Sequence, residues 1–129
     1  ILSNGGRLVQ INVWRPITGP VKRAPLALAD ATSVEIGDLI ATDQRFPDRT
    51  GEIYQLAYNP QHRWYYAAEM ERDEVILIKS WDSAYPADAS YPAHGAFQYP
   101  DQDPNAAPRE SIEIRTYVVF EPGNPHATG

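Results

Sequence analysis

Apolar residues recur at every second position in the clearest segments of this chain, and a period of two is the mark of half-buried β-strands. Residues 8–14 (LVQINVW) set Val9, Ile11 and Val13 against Gln10 and Asn12, then stop at Arg15-Pro16. Residues 52–58 (EIYQLAY) alternate likewise and end at the turn pair Asn59-Pro60. Residues 63–67 (RWYYA) form a short aromatic strand, so these two segments are expected to make a hairpin over residues 59–62. Residues 74–79 (EVILIK) are almost unbroken in apolar character, which predicts a central strand. The longest and most strongly alternating segment is residues 111–120 (SIEIRTYVVF).

Helical periodicity is weak throughout. Residues 29–40 have room for one short helical turn, and no other stretch sustains apolar residues at i, i+3 and i+4. Residues 18–25 read as a loop and residues 43–51 (DQRFPDRTG) as a polar turn. The longest irregular stretch, residues 82–109, contains Pro86, Pro92, Pro100, Pro104 and Pro108. A structureless loop of that length is uncommon in one domain, and residues 94–97 are the candidate strand hidden within it. The 12 prolines, spread along the chain, imply short elements joined by fixed turns, because proline neither donates to a ladder nor sits inside a helix. Six or so short strands at even spacing predict an all-β sandwich or barrel, with residues 1–129 belonging to one domain.

Composition narrows the partners. A net charge of −6 and the lack of any basic run argue against nucleic acid or a membrane surface, both of which need a basic face. No apolar stretch approaches the ~20 residues that span a bilayer. With no cysteine there is neither a disulfide framework nor thiolate chemistry, which is compatible with a cytoplasmic location.

Candidate chemistry concentrates near the C-terminal strand. His126 sits in a Gly/Pro/Ala tail and reads as solvated; His62 falls in the expected hairpin turn, where a surface or hydrogen-bonding role fits better than ligation. His94 opens the hidden strand, and fifteen residues later come Arg109 and Ser111. Being two apart at a strand mouth, Arg109 and Ser111 project to one face. A guanidinium fork beside a hydroxyl suits bidentate capture of a carboxylate. A histidine ahead of such a clamp fits a facial-triad iron site, which takes two histidines and one carboxylate. Taken alone, the pattern fits a surface histidine and a rim arginine equally well.

Longer strings add to this. NVWRP at 12–16, YNPQHRWYY at 58–66, DEVILIK at 73–79 and PRESIE at 108–113 occur in this order, with LALADA at 26–31 and WDS at 81–83. Together they resemble the fungal gibberellin-desaturase-like and cephalosporin 7α-methoxylase-like oxygenases, over almost the full chain. The resemblance implies a distorted jelly-roll, the cupin-like double-stranded β-helix, and an iron(II)/2-oxoglutarate-dependent dioxygenase acting on a small, secondary-metabolite substrate. It makes His94 the distal iron ligand and Arg109 with Ser111 the 2-oxoglutarate clamp.

The family's other two iron ligands lie in an upstream His-x-Asp motif, which this chain lacks: His62, His94 and His126 are followed by Arg-Trp, Gly-Ala and Ala-Thr. The first residue is Ile1 and the sole methionine is Met70, so the expectation is the C-terminal part of a longer protein. An incomplete barrel would pack against the missing N-terminal segment or a second chain, including a homodimer mate. Two other readings stand beside this one: a non-catalytic β-barrel binding module, and a cupin-like metal enzyme that does not use 2-oxoglutarate. Among the remaining residues, Trp64, Tyr65 and Tyr66 are expected to pack the barrel, and Asp82 to accept a hydrogen bond from a loop. Glu113 and Arg115 share the face of Arg109 and Ser111, so a bulge, a mutual ion pair or an open barrel end is expected there.

Overall fold

A computed structural model describes residues 2–85 and 91–127. Eight strands follow in order: β1 (Arg7–Pro16), β2 (Leu26–Ala29), β3 (Leu39–Arg45), β4 (Thr50–Leu56), β5 (Trp64–Tyr66), β6 (Ile76–Asp82), β7 (His94–Ala96) and β8 (Ser111–Phe120). They form two three-stranded antiparallel sheets, ordered β6-β1-β8 and β5-β2-β7, and a separate β3-β4 hairpin. The fold is all-β, as its alternation predicts. Among the described residues, the helical content is short 3-10 turns, and no helix is long and apolar enough to cross a membrane.

The pairing of β1 with β8 organises the structure. All ten residues of each strand pair without a shift, from Arg7 opposite Phe120 to Pro16 opposite Ser111. Residues directly opposite share a face. Asn12, Trp14 and Pro16 therefore stand on one face with Arg115, Glu113 and Ser111, while Ile11 and Val13 stand on the other with Thr116 and Ile114. The first face is the inner one: Asn12 and Trp14 are 3% and 4% exposed, and Ile78 of β6, opposite Asn12, is 1% exposed. Trp14 and Ile78 meet Val21, Leu26 and Met70 in the core, with Leu28 and Ile76 packed against it. This cluster joins the two sheets, because Leu26 and Leu28 lie on β2.

Three expectations are corrected. The segment 52–58 does not pair with 63–67: β4 pairs with β3, and β5 pairs with β2. The polar turn at 43–51 is the tip of the β3-β4 hairpin, and β3 was hidden because Ala41, Thr42 and Asp43 break its apolar pattern. The EVILIK run is not central. Its strand, β6, ends the order β6-β1-β8, and Leu77 and Val75 are 64% and 51% exposed. Its continuous apolarity reflects a buried face at Ile78 and an uncovered apolar face at Leu77.

The region 29–40 holds two 3-10 turns, Ala31–Ser33 and Ile36–Asp38, rather than one. Asp30 caps the first by accepting from the Thr32 backbone N–H at 2.9 Å. Residues 94–97 contribute β7, as expected, and Pro86 lies outside the described residues.

Candidate active-site groove

The inner faces of the two sheets open onto a groove of about 490 Å³. Asn12, Glu113 and Arg115 form its floor from β1 and β8, and His94 faces them from β7. Ile53, Tyr54 and Leu56 of the β3-β4 hairpin make an apolar wall, with Trp64 and Tyr91 beside them. Tyr54 and Tyr91 pack ring against ring with centroids 5.1 Å apart.

His94 opposes Leu28 in the β2-β7 pairing, and Leu28 packs on the core, so the imidazole belongs to the inner side of its sheet. Its Nδ1 lies 2.8 Å from the Pro92 carbonyl oxygen. A carbonyl can only accept, so Nδ1 carries the proton and the Nε2 lone pair is left available. Histidines that bind metals are commonly oriented by this kind of bond through the other ring nitrogen.

Arg109 and Ser111 lie apart from the groove lining. Ser111 begins β8 opposite Pro16, and Arg109 sits before it. Nη1 of Arg109 donates to the Ala24 carbonyl at 2.6 Å, and the guanidinium stands over the Trp14 ring, 5.4 Å from its centroid. The structure thus fixes the arginine on the inner face at Trp14, whose partner across the sheet, Glu113, belongs to the groove. His94 is brought together with Glu113 and Arg115 rather than directly with Arg109 and Ser111.

Asn12 shares with Trp14 the strand face that alternation points into the barrel, and it is the most confined polar group of the groove. Its Nδ2 donates to Glu113 Oε1 at 2.8 Å, while its buried Oδ1 has no partner. The carboxylate accepts only, which sets the amide orientation and leaves an acceptor unsatisfied. The alternation that placed Asn12 opposite the Val9-Ile11-Val13 stripe was the available signal. Glu113 and Arg115 form no bulge and no mutual ion pair among the described residues; they are exposed at the open groove, the third alternative above.

Other expected roles fare unevenly. Asp82 does accept from a loop: Ala84 N donates to it at 3.1 Å, and Arg7 binds it as well. Trp64, Tyr65 and Tyr66 do not pack a core, being 46%, 60% and 45% exposed, since β5 is an edge strand and Trp64 rims the groove. His62 has the hydrogen-bonding role: its Nε2 lies 2.8 Å from Asp38 Oδ2, with the side chain only 3% exposed. That bond, first among its causes, holds the Asp38 carboxyl below the usual range. His126 is exposed, with its ring edge-on to Phe120 at a centroid distance of 6.4 Å.

A family profile described as "Oxidoreductase/YMDC permease-like domain" matches residues 2–119. The chain belongs to that family. This oxidoreductase-family chain is 39% identical over 119 residues to "Aspirochlorine biosynthesis protein N" of Aspergillus oryzae, covering 90% of itself and 50% of that protein. It is 36% identical to "Fe(II)/2-oxoglutarate-dependent dioxygenase nvfI" of Aspergillus novofumigatus, covering 87% of itself and 41% of that protein. For "Hydroxylase/desaturase efuI" of Hormonema carpetanum the identity is 37%, with 86% and 40% covered. The solved "iron and alpha-ketoglutarate-dependent endoperoxidase NvfI" superposes with a TM-score of 0.78 at 32% identity, over 89% of this chain and 43% of that one. The cupin-like jelly-roll expectation is met. The chain spans half or less of the length of these relatives.

One imidazole is too few donors for a stable iron site. Among the described residues, no group of three or more His, Asp or Glu side chains is placed to hold a metal ion. The residues of this chain therefore do not by themselves fit the iron that the relatives' names carry.

Proposed function

We propose that this chain is one part, the C-terminal one, of an iron(II)/2-oxoglutarate-dependent dioxygenase of hydroxylase or desaturase type acting on a small secondary-metabolite substrate. Within it, His94 supplies one iron ligand and Arg109 with Ser111 holds the distal carboxylate of 2-oxoglutarate. The finer placement among gibberellin-desaturase-like and cephalosporin 7α-methoxylase-like enzymes belongs to the same reading and rests on the NVWRP, NPQHRWYY and PRESIE strings. The observation that carries the reading is His94, with Nδ1 committed to Pro92 and Nε2 free beside a half-apolar groove. The relatives' names supply the chemistry it suits.

The oxidising chemistry of such enzymes resides in the metal and co-substrate, while the protein binds, orients and excludes water. The wall of Ile53, Tyr54, Leu56 and Trp64 suits a mainly apolar molecule, with polar anchoring at Asn12, Glu113 and Arg115. A second reading, a non-catalytic binding module, is favoured by the single histidine in the groove.

Assay of the complete gene product decides between them. With Fe(II) present, 2-oxoglutarate should be converted to succinate, and His94→Ala should abolish the conversion while leaving the fold intact. A folded complete protein that binds small apolar molecules yet releases no succinate under any iron loading would leave the binding-module reading.

A further inference from the structure

The floor of the groove holds a side chain whose bonding is incomplete. Asn12 stands on the inner face of β1, 3% exposed, with Ile78 beside it on β6. Its Nδ2 donates to Glu113 Oε1 at 2.8 Å, while Oδ1, sealed from bulk solvent, has no partner among the described residues. Buried side-chain oxygens are nearly always satisfied, so an orphan at the floor of a cleft points to a group that arrives from outside.

The chemistry of that group is narrow. A carboxylate only accepts, so Glu113 draws Nδ2 and leaves Oδ1 as the free atom. Carbonyl, ether and carboxylate groups have no proton to give it. The keto group and carboxylates of 2-oxoglutarate are therefore excluded as its partner, which separates Asn12 from the Arg109–Ser111 clamp. An O–H or N–H donor fits. Arg115 lies directly opposite Asn12 in the β1-β8 register and forms no ion pair among the described residues. Its charge disfavours an ammonium group at the same place. The apolar wall of Ile53, Tyr54 and Leu56 favours the neutral donor with the least polar surface to desolvate, a hydroxyl.

We propose that Asn12 selects the substrate: its Oδ1 accepts a hydrogen bond from a hydroxyl on a mainly apolar molecule, and Glu113 positions the amide for that task. This rests on the reading of the groove as the substrate site. His94 faces the same floor from β7, so the anchored hydroxyl also sets which part of the molecule lies nearest the imidazole.

Equilibrium dialysis of the complete gene product, supplied with Fe(II) and 2-oxoglutarate in the absence of oxygen, tests this with borneol and camphor. The two share one carbon skeleton, but the alcohol donates whereas the ketone only accepts. Borneol should bind about tenfold more tightly, the effect of one hydrogen bond. In Asn12→Leu the ratio should fall toward parity through weaker borneol binding. Glu113→Gln changes an exposed side chain and spares the core. The new amide either donates or accepts, so the Asn12 amide is free to turn, and the ratio should shrink through tighter camphor binding. Each ratio is taken within one protein, so loss of folded material does not move it. Equal binding of the two probes, or binding of neither, overturns the proposal. A preference that survives Asn12→Leu overturns it too, as does an unchanged ratio in Glu113→Gln. Succinate release without a borneol preference would sink the Asn12 assignment alone; a preference abolished by Asn12→Leu in a protein that releases no succinate would sink the dioxygenase reading alone.

Discussion

Arg7 grips Asp82 with two nitrogens, Nε at 2.9 Å from one carboxylate oxygen and Nη2 at 2.6 Å from the other, closing the β1-β6 end of the sheet. The Asp82 side chain is fully sealed, Lys79 adds a contact at 3.5 Å, and Ala84 N donates to it. The carboxyl is lowered from 3.8 to about 2, chiefly by the Arg7 hydrogen bonds and against the cost of burial. A carboxylate with a lowered folded pKa stabilises the fold above its unfolded value and ceases to do so as pH falls through the folded one. The urea midpoint should therefore drop as pH falls from 3.8 toward about 2. Asp82→Asn should lower the midpoint at neutral pH and flatten that acid limb. A limb of unchanged steepness in the variant would assign the acid sensitivity elsewhere, with Asp30, also held at about 2, the next candidate.

Metal affinity follows from the donor count. In isolation the chain should bind Fe(II), Mn(II) or Co(II) weakly, with dissociation constants no tighter than the high micromolar range expected of one imidazole. Isothermal titration with Co(II) measures this, and His94→Ala should remove what binding there is. Tight, stoichiometric binding would mean that His62 leaves Asp38 to join a ligand set.

The residues that alternation could place were placed well, and those fixed by long-range pairing were not. For β8, residues 111–120, the sequence pattern and the structure agree to the residue, because one face packs inward and the pattern is uninterrupted. His94 and Ser111 could be assigned to strands from their neighbours alone. Partner choice was illegible: nothing local in NPQH says that β5 leaves β4 to pair with β2, a decision made by where Leu26 and Leu28 meet the core. The EVILIK run suggests a central strand because apolarity on both faces signals burial on both, whereas Leu77 and Val75 are 64% and 51% exposed. The Asn12–Glu113 contact spans 101 residues of sequence, beyond the reach of any local pattern.

His62 should control the hairpin wall of the groove. It binds Asp38, Asn59 Nδ2 reaches both oxygens of the same carboxylate, and the Asp38 carbonyl accepts from Ala57 N. These contacts clamp the base of β3-β4, which carries Tyr54 and Leu56 into the groove. His62→Leu should speed exchange of hairpin amides roughly tenfold, in line with loss of about one hydrogen bond, while β1 and β8 amides keep their rates. His62→Gln, which can still donate to the carboxylate, should restore much of the protection. Uniform acceleration across the chain would show that His62 supports the whole fold rather than the wall.

Arg109 carries the sharpest test of the carboxylate clamp. Its Nη1 is committed to Ala24, and its face lies over Trp14, so the guanidinium is held in place before any ligand arrives. Its remaining N–H groups are those available to a carboxylate. Contact with Trp14 means that it touches the core. Arg109→Lys keeps the charge but loses the planar fork and the stacking. In the complete enzyme the lost contact should cost about 2–5 kcal/mol, on the order of a 30- to several-thousand-fold rise in the half-saturating 2-oxoglutarate concentration. Ser111→Ala should act in the same direction by about 1 kcal/mol, one hydroxyl bond. Because Arg109 also supports Trp14, thermal midpoints of both variants belong with the titration, and Arg109→Lys should lose a few degrees while Ser111→Ala loses little. Succinate release followed against 2-oxoglutarate separates the roles: a clamp raises half-saturation, whereas a purely structural arginine lowers the amount of active enzyme and leaves half-saturation where it was. Unchanged half-saturation in Arg109→Lys would remove the clamp and leave the arginine as a brace between Ala24 and Trp14.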